Sequence, residues 1–210
     1  MEINILNFIN DNLHGSGFIN QLFKIITILS DKGIIWIALG LFLLIFKKTR
    51  KAGLVTIVGV LSTLFVNTLI LKNIFDRTRP FIESPALATF IESIGLALPD
   101  DSSFPSGHTF VSFCCSIILC LQLGKKWAYV YIFAGITAFS RIFLCVHYPT
   151  DVLAGMAFGT AVGIGIHFLM KFSFKKLEPY ILKFKEARLK KQTQNSLETN
   201  SQNSDTETEE

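Results

Sequence analysis

Residues 140–170 read SRIFLCVHYPTDVLAGMAFGTAVGIGIHFLM. The opening part carries a cation, an imidazole and a carboxylate, Arg141, His147 and Asp151, gathered about a Tyr148-Pro149-Thr150 turn. From Val152 to Met170 there is then no Asp, Glu, Lys or Arg, and His167 is the one titratable side chain. A bilayer core is crossed by a helix of about 20 apolar residues, so a spanning helix starts where the polar residues end. Gly155, Gly159 and Gly163 recur at every fourth position, a small-residue ladder that lets helices approach closely in lipid. The stretch predicts an all-α, polytopic membrane helix bundle with its chemistry at one membrane surface.

The rest of the chain has the same character. Of 210 residues half are apolar and only 17% charged, with mean hydropathy +0.45, where an average soluble domain is roughly 25% charged. Gly33–Phe46, Gly53–Leu71 and Thr109–Gly124 are likewise free of Asp, Glu, Lys and Arg. A soluble core of buried helices would need more polar surface than this. Expected spans run over Phe18–Ser30, Gly33–Phe46, Leu54–Phe75, His108–Leu123, Trp127–Val146 and Thr150–Phe172, about six transmembrane helices. Residues 1–17, apolar at Ile5, Leu6, Phe8, Ile9 and Leu13, suit a short interfacial helix. Residues 18–172 make the membrane domain, and residues 173–191 a basic juxtamembrane segment facing anionic headgroups. Residues 192–210, rich in Ser, Thr, Asn, Gln and Glu, are expected to be a disordered acidic tail.

The formal net charge is +4. Lys47, Lys48, Arg50 and Lys51 fill one short loop and Lys125 and Lys126 another, and such loops stay on the cytoplasmic side. Six alternating helices then place the polar clusters on the non-cytoplasmic face of the cell membrane and both termini in the cytoplasm. These basic groups flank membrane segments and lack interleaved aromatics, so no nucleic acid is expected as a partner; no protein partner is indicated either. Cys114, Cys115, Cys120 and Cys145 lie in apolar stretches without metal-knuckle spacing or a disulfide framework, and read as small apolar filler. The first residues mix polar and apolar types, and no cleavable signal peptide is evident.

Two further clusters sit at the edges of apolar runs. Lys72 and Arg79 are seven positions apart, two helical turns, and share a face; Pro80 ends the helix after Arg79. An arginine offers a planar fork to phosphoryl oxygens and a lysine a point charge. Pro105-Ser106-Gly107-His108 precedes an apolar helix, whose first N–H groups point at anions. Ser106 suits the N-cap, Gly107 removes a side chain that would hold an oxyanion away, and His108 stands where it can protonate a leaving oxygen. In the third cluster Arg141 needs an anionic partner. Asp151 can accept the Nδ1–H of His147, orienting the ring and leaving Nε2 free to attack. Taken singly, these are snorkelling cations, a helix cap and a structural histidine. Together they can grip a phosphate, attack it and protonate what leaves. The connector Pro80–Pro105 is long for a structureless loop, with apolar residues suited to a lid on the bilayer surface. Its Asp100 and Asp101 read as solvated turn residues.

Jointly the clusters resemble the type 2 phosphatidic acid phosphatase superfamily, whose pattern is K-x6-R-P, then P-S-G-H, then S-R-x5-H-x3-D. Lys72/Arg79/Pro80, Pro105/Ser106/Gly107/His108 and Ser140/Arg141/His147/Asp151 match every motif position and spacing. The resemblance implies hydrolysis of a lipid phosphate or diphosphate through a phosphohistidine, with neither metal nor other cofactor. His147 is then the nucleophile, Asp151 its orienter and His108 the general acid. Lys72, Arg79, Arg141, Ser106, Gly107 and Ser140 hold the phosphoryl oxygens. Undecaprenyl diphosphate, phosphatidylglycerophosphate and phosphatidic acid are candidate substrates. The competing expectation is a catalytically silent lipid-binding or assembly module on the same scaffold. It would be marked by loss of His108, His147 or Asp151, and all three are present.

Overall fold

The computed structural model describes residues 1–15 and 17–207. Ser16 of the amphipathic segment and residues 208–210 of the expected tail lie outside the described residues. In chain order the helices are α1 (Glu2–Leu13), α2 (Gly17–Leu29), a 3-10 turn (Asp31–Gly33), α3 (Ile34–Ile45) and α4 (Arg50–Phe65). A π-helical turn (Val66–Leu71) leads into α5 (Lys72–Phe75), followed by α6 (Pro80–Glu83), α7 (Pro85–Ser93) and α8 (Gly107–Leu123). A 3-10 turn (Lys125–Tyr129), α9 (Val130–Phe143) and α10 (Pro149–Glu207) complete the chain. It divides into two units, Met1–Phe168 and Leu169–Glu210; the second is helical as far as Glu207.

Within the first unit, close backbone contact fixes the frame. A Cβ on Gly53 would stand 2.5 Å from the Gly40 carbonyl oxygen, so α3 and α4 touch at their main chains. The ladder at the start of α10 does the same against α8. Cβ atoms at Gly155 and Gly159 would lie 2.8 Å from the Ser106 oxygen and 2.3 Å from the Phe110 oxygen, and one at Gly163 would lie 2.5 Å from Ile117 Cγ2. The Ser106 N–H also donates to the Asp151 carbonyl at 3.0 Å. The two polar clusters are therefore held side by side. Trp36, Leu43, Val60, Val111, Cys115, Leu119 and Val130 fill the space between α3, α4, α8 and α9, and Trp36 Nε1 donates to Ser112 Oγ at 3.1 Å. Phe42, Ile45, Leu61, Phe65, Ile132 and Leu153 face outward, an apolar exterior that lipid covers and water would not tolerate.

Several expectations change. By length and apolar composition Arg50–Glu83 and Pro149–Tyr180 can cross a membrane, and α2 with Asp31–Ile45, bent by 45°, adds a third if the pair is one span. The expected six are not reached because the first two are arms of that bent pair. In addition, α8 has 17 residues and α9 14, about 26 and 21 Å at 1.5 Å each, both short of a 30 Å core. At the bend Gly33 has φ 73°, and a Cβ there would strike Val60 and Val111 at 2.8 and 2.9 Å; only glycine fits. The segment expected to lie in the interface forms α1, but Leu6 and Ile9 are buried against Phe81, Leu87, Ile91, Leu144 and Val146. The connector is no structureless lid, since it holds α6 and α7 and buries those same side chains. Residues 192–207, where composition predicts disorder, continue α10. No glycine follows Gly165 and no proline follows Pro179, so neither of the two strongest helix breakers interrupts the run.

Thermal unfolding of the detergent-solubilised protein tests the ladder. Gly159→Ala forces the Phe110 backbone aside and is expected to cost about 1–3 kcal/mol or more. Gly165→Ala, which meets nothing within 4 Å, is expected to leave stability unchanged; equal effects would contradict the packing.

Candidate active site

Lys72, Arg79, Gly107, His108, Arg141 and His147 line one cavity of about 330 Å³. The three clusters, separated in sequence, thus meet. Lys72 opens α5 directly after the π turn. Arg79 precedes Pro80 in extended conformation, φ −87° and ψ 153°. Its buried guanidinium is aimed by donation from Nε to the Asp101 carbonyl at 2.8 Å and from Nη1 to the Val146 carbonyl at 2.9 Å. Arg141 is buried on the last turn of α9. Nη1 donates to Thr27 Oγ1 at 3.1 Å, while Nε has no protein partner, leaving a donor for an anion.

Asp151 is fully buried and heavily engaged. Its Oδ2 lies 3.5 Å from His147 Nδ1, accepts the Tyr148 N–H at 2.8 Å and accepts the Ser103 hydroxyl. Its Oδ1 accepts from Arg77 Nη1 at 2.6 Å. With Nδ1 turned to the carboxylate, Nε2 is the nitrogen left for the cavity. Burial pushes the His147 imidazole down to about 3, with Asp151 opposing and Arg79 and Arg141 adding to the effect. The ring is neutral at physiological pH, the form that can attack. His108 sits in the first turn of α8 with Nε2 3.7 Å from Asp31 Oδ1.

Two expected phosphate ligands are placed otherwise. Ser106 is at the N-cap of α8 but makes no side-chain cap bond; it is buried, and its hydroxyl accepts from Thr109 Oγ1 at 3.1 Å. The Ser140 hydroxyl donates to the Thr137 carbonyl at 2.6 Å and lies 3.1 Å from Thr27 Oγ1. Its single proton being spent, it accepts from Thr27, whose oxygen in turn accepts from Arg141. Ser140 therefore positions Arg141 through Thr27 and does not reach the cavity.

Residues 51–177 match the PAP2 superfamily. The chain belongs to this family. It is a PAP2-type membrane phosphatase, related to bacterial undecaprenyl-diphosphatases and lipid A phosphatases. It is 31% identical over 130 residues to an undecaprenyl-diphosphatase of Sulfolobus acidocaldarius, covering 60% of this chain and 59% of that protein. To the undecaprenyl-diphosphatase BcrC of Bacillus subtilis it is 26% identical over 200 residues, covering 95% of this chain and all, 100%, of that one. Among solved structures, the transmembrane PAP2-type phosphatidylglycerolphosphate phosphatase of Bacillus subtilis superposes with a TM-score of 0.60 at 25% identity, covering 84% of this chain and 85% of that chain.

The PAP2 site includes groups that the sequence patterns do not single out. Asp101 is half exposed in a bend, as expected, but it is more than a solvated turn residue, for its carboxylate bridges Lys72 and Arg79. Burial raises its pKa, but these two cations more than offset that and hold it below the usual range. It occupies two of the cations that are expected to hold a phosphoryl group. Arg77 grips Asp151, and its Nη2 donates to Glu2 Oε2 at 2.7 Å. Glu2 also accepts from the Thr150 N–H at 2.9 Å and Oγ1 at 2.8 Å. A carboxylate between Arg79 and His108 is the sequence sign of Asp101; Glu2, 149 positions before Asp151, leaves none.

Asp101→Asn removes the internal competitor for Lys72 and Arg79. Inorganic phosphate is then expected to inhibit up to about fivefold more tightly, the scale of a partly exposed ion pair. Unchanged or weaker inhibition would show that Asp101 does not compete.

Proposed function

We propose that the protein hydrolyses the phosphate or diphosphate of a membrane lipid through a phosphohistidine on His147. One observation carries this: a neutral His147, backed by Asp151, faces a cavity ringed by Lys72, Arg79 and Arg141. Nε2 attacks phosphorus, the bond to the leaving oxygen breaks, and His108 gives that oxygen its proton. Water then attacks the phosphohistidine while His108 takes back a proton, and inorganic phosphate leaves. The cations and the Gly107 N–H hold the phosphoryl oxygens in both steps. They supply the charge that a metal would otherwise bring. Among the described residues no group of three or more His, Cys, Asp or Glu is arranged to hold a metal ion.

The apolar exterior and the relatives' substrates favour a lipid anchor. Undecaprenyl diphosphate is the first candidate, because a relative matched along its whole length is an undecaprenyl-diphosphatase; phosphatidylglycerophosphate and phosphatidic acid are the others. The basic residues Lys47 and Lys48 precede α4, and Lys125 and Lys126 follow α8, at the helix ends away from the cavity. That arrangement favours a non-cytoplasmic site. On this reading the N-terminus is non-cytoplasmic too, unlike the expectation that both termini are cytoplasmic, because Glu2 bonds Thr150 and Arg77 at the site's own end.

The test is phosphate release by purified protein from these three lipids in excess EDTA. Wild type is expected to be active, and His147→Ala inactive on every substrate. General acid catalysis is worth roughly 10²–10⁴-fold, so His108→Ala is expected to keep more activity on an activated aryl phosphate than on a lipid. Activity that requires added Mg²⁺, or equal losses on both substrate types in His108→Ala, would contradict the assignment.

A further inference from the structure

The helix that carries Lys72 is not regular. Val66–Leu71 is a π turn, closed by a bond from the Lys72 N–H to the Asn67 carbonyl. On an α-helix residues five apart point about 140° away from each other, at roughly 100° per residue; an i to i+5 turn brings them back toward one face. Asn67 and Lys72 accordingly line the same cavity, together with His108, Arg141 and His147. Such turns are frequent at functional sites, and here the turn's effect is to set Asn67 beside Lys72.

Asn67 is only 5% exposed and its Oδ1 has no hydrogen-bond partner, a costly state for a buried amide. Its Nδ2 occupies the space over the start of α8: a Cβ on Gly107 would stand 2.9 Å from it. Gly107 thus makes room for the amide as well as for an anion. Arg141 Nε and His108 Nε2 likewise have no hydrogen-bond partner, although His108 Nε2 lies 3.7 Å from Asp31 Oδ1. Three residues that carry such orphaned atoms therefore line the cavity, each from a different element. Phosphoryl oxygens are acceptors, so they satisfy Nδ2 but not Oδ1. Besides a departing alcohol, the donor that the reaction brings into the cavity is the water of the second step.

We propose that Asn67 is a further catalytic residue, its Nδ2 donating to a phosphoryl oxygen and its Oδ1 holding the water that hydrolyses the phosphohistidine. This rests on the phosphohistidine mechanism proposed above. In that step the water oxygen bonds to phosphorus and the P–Nε2 bond breaks with its electron pair returning to His147. One water proton passes to His108 while Asn67 Oδ1 accepts the other as a hydrogen bond. The role differs from that of the cations, which act equally in both steps.

The probe is p-nitrophenyl phosphate, whose good leaving group makes the first step fast. In rapid-quench measurements Asn67→Ala is expected to lower steady-state turnover about 10- to 100-fold, the scale of one hydrogen bond to a charged group. The phosphorylated fraction of the enzyme should rise above that of wild type, because the second step is the one impaired. Asn67→Asp, which keeps the shape and an acceptor but loses the donor, is expected to bind orthovanadate at least about tenfold more weakly. A merely structural Asn67 would not raise the phosphoenzyme fraction. Turnover lost without phosphoenzyme accumulation, or vanadate inhibition unchanged in Asn67→Asp, overturns the role of Asn67. A wild type that turns over without forming any phosphoenzyme overturns the phosphohistidine mechanism itself, and this inference with it.

Discussion

A single buried carboxylate organises this molecule. Asp151 is shared by His147, the Tyr148 N–H, Ser103 of the connector and Arg77 beyond α5. A buried charge stripped of a partner costs about 3–5 kcal/mol, so each of these segments is held to the others through the same two oxygens. The consequence runs outward. Arg77, held over the Tyr148 ring at 4.1 Å, reaches Glu2 and draws α1 onto the site. Leu6 and Ile9 then close the apolar cluster behind residues 143–148. What begins as the orientation of one imidazole ends as the placement of the N-terminal helix.

The cations pose the opposite problem. Lys72, Arg79 and Arg141 face one cavity, and three positive charges at the edge of a membrane need an anion. Backbone carbonyls and Thr27 aim the two guanidiniums, but aiming does not neutralise them. Asp101 does so for Lys72 and Arg79, and a phosphoryl group would do so for all three. The same electrostatic demand thus stabilises the site at rest and selects its ligand. The neutral state of His147 belongs to this balance, since burial and nearby cations oppose a further positive charge. No separate device is needed to keep the ring deprotonated.

Much of this follows from short-range sequence features. The motif spacings single out His108, His147, Asp151, Lys72, Arg79 and Arg141 as candidates, but not always by the geometry expected. Because α5 ends at Phe75 and Arg79 is extended, Lys72 and Arg79 are not two helical turns apart, and Ser106 makes no side-chain cap bond. The four-residue glycine ladder correctly marks a close helix contact, though not that α8 is the partner. Long-range consequences are hidden. Nothing near Glu2 shows that it will meet Thr150, and nothing in the apolar run around Asn67 announces a π turn. The span count fails for a related reason: charge-free runs mark α2 and α3, while the Gly33 bend that makes them one pair depends on Val60 and Val111. Ser140 shows the limit of motif reading, since it acts on Arg141 through Thr27 rather than on phosphate.

The central claim is that His147 takes the phosphoryl group covalently. The most direct measurement is to quench the purified enzyme with base during turnover of undecaprenyl diphosphate labelled in its terminal phosphate, then map the label by peptide mass spectrometry. The account predicts an acid-labile, base-stable phosphate on His147, absent from His147→Ala. A label on any other residue, or sustained turnover by His147→Ala, would contradict it.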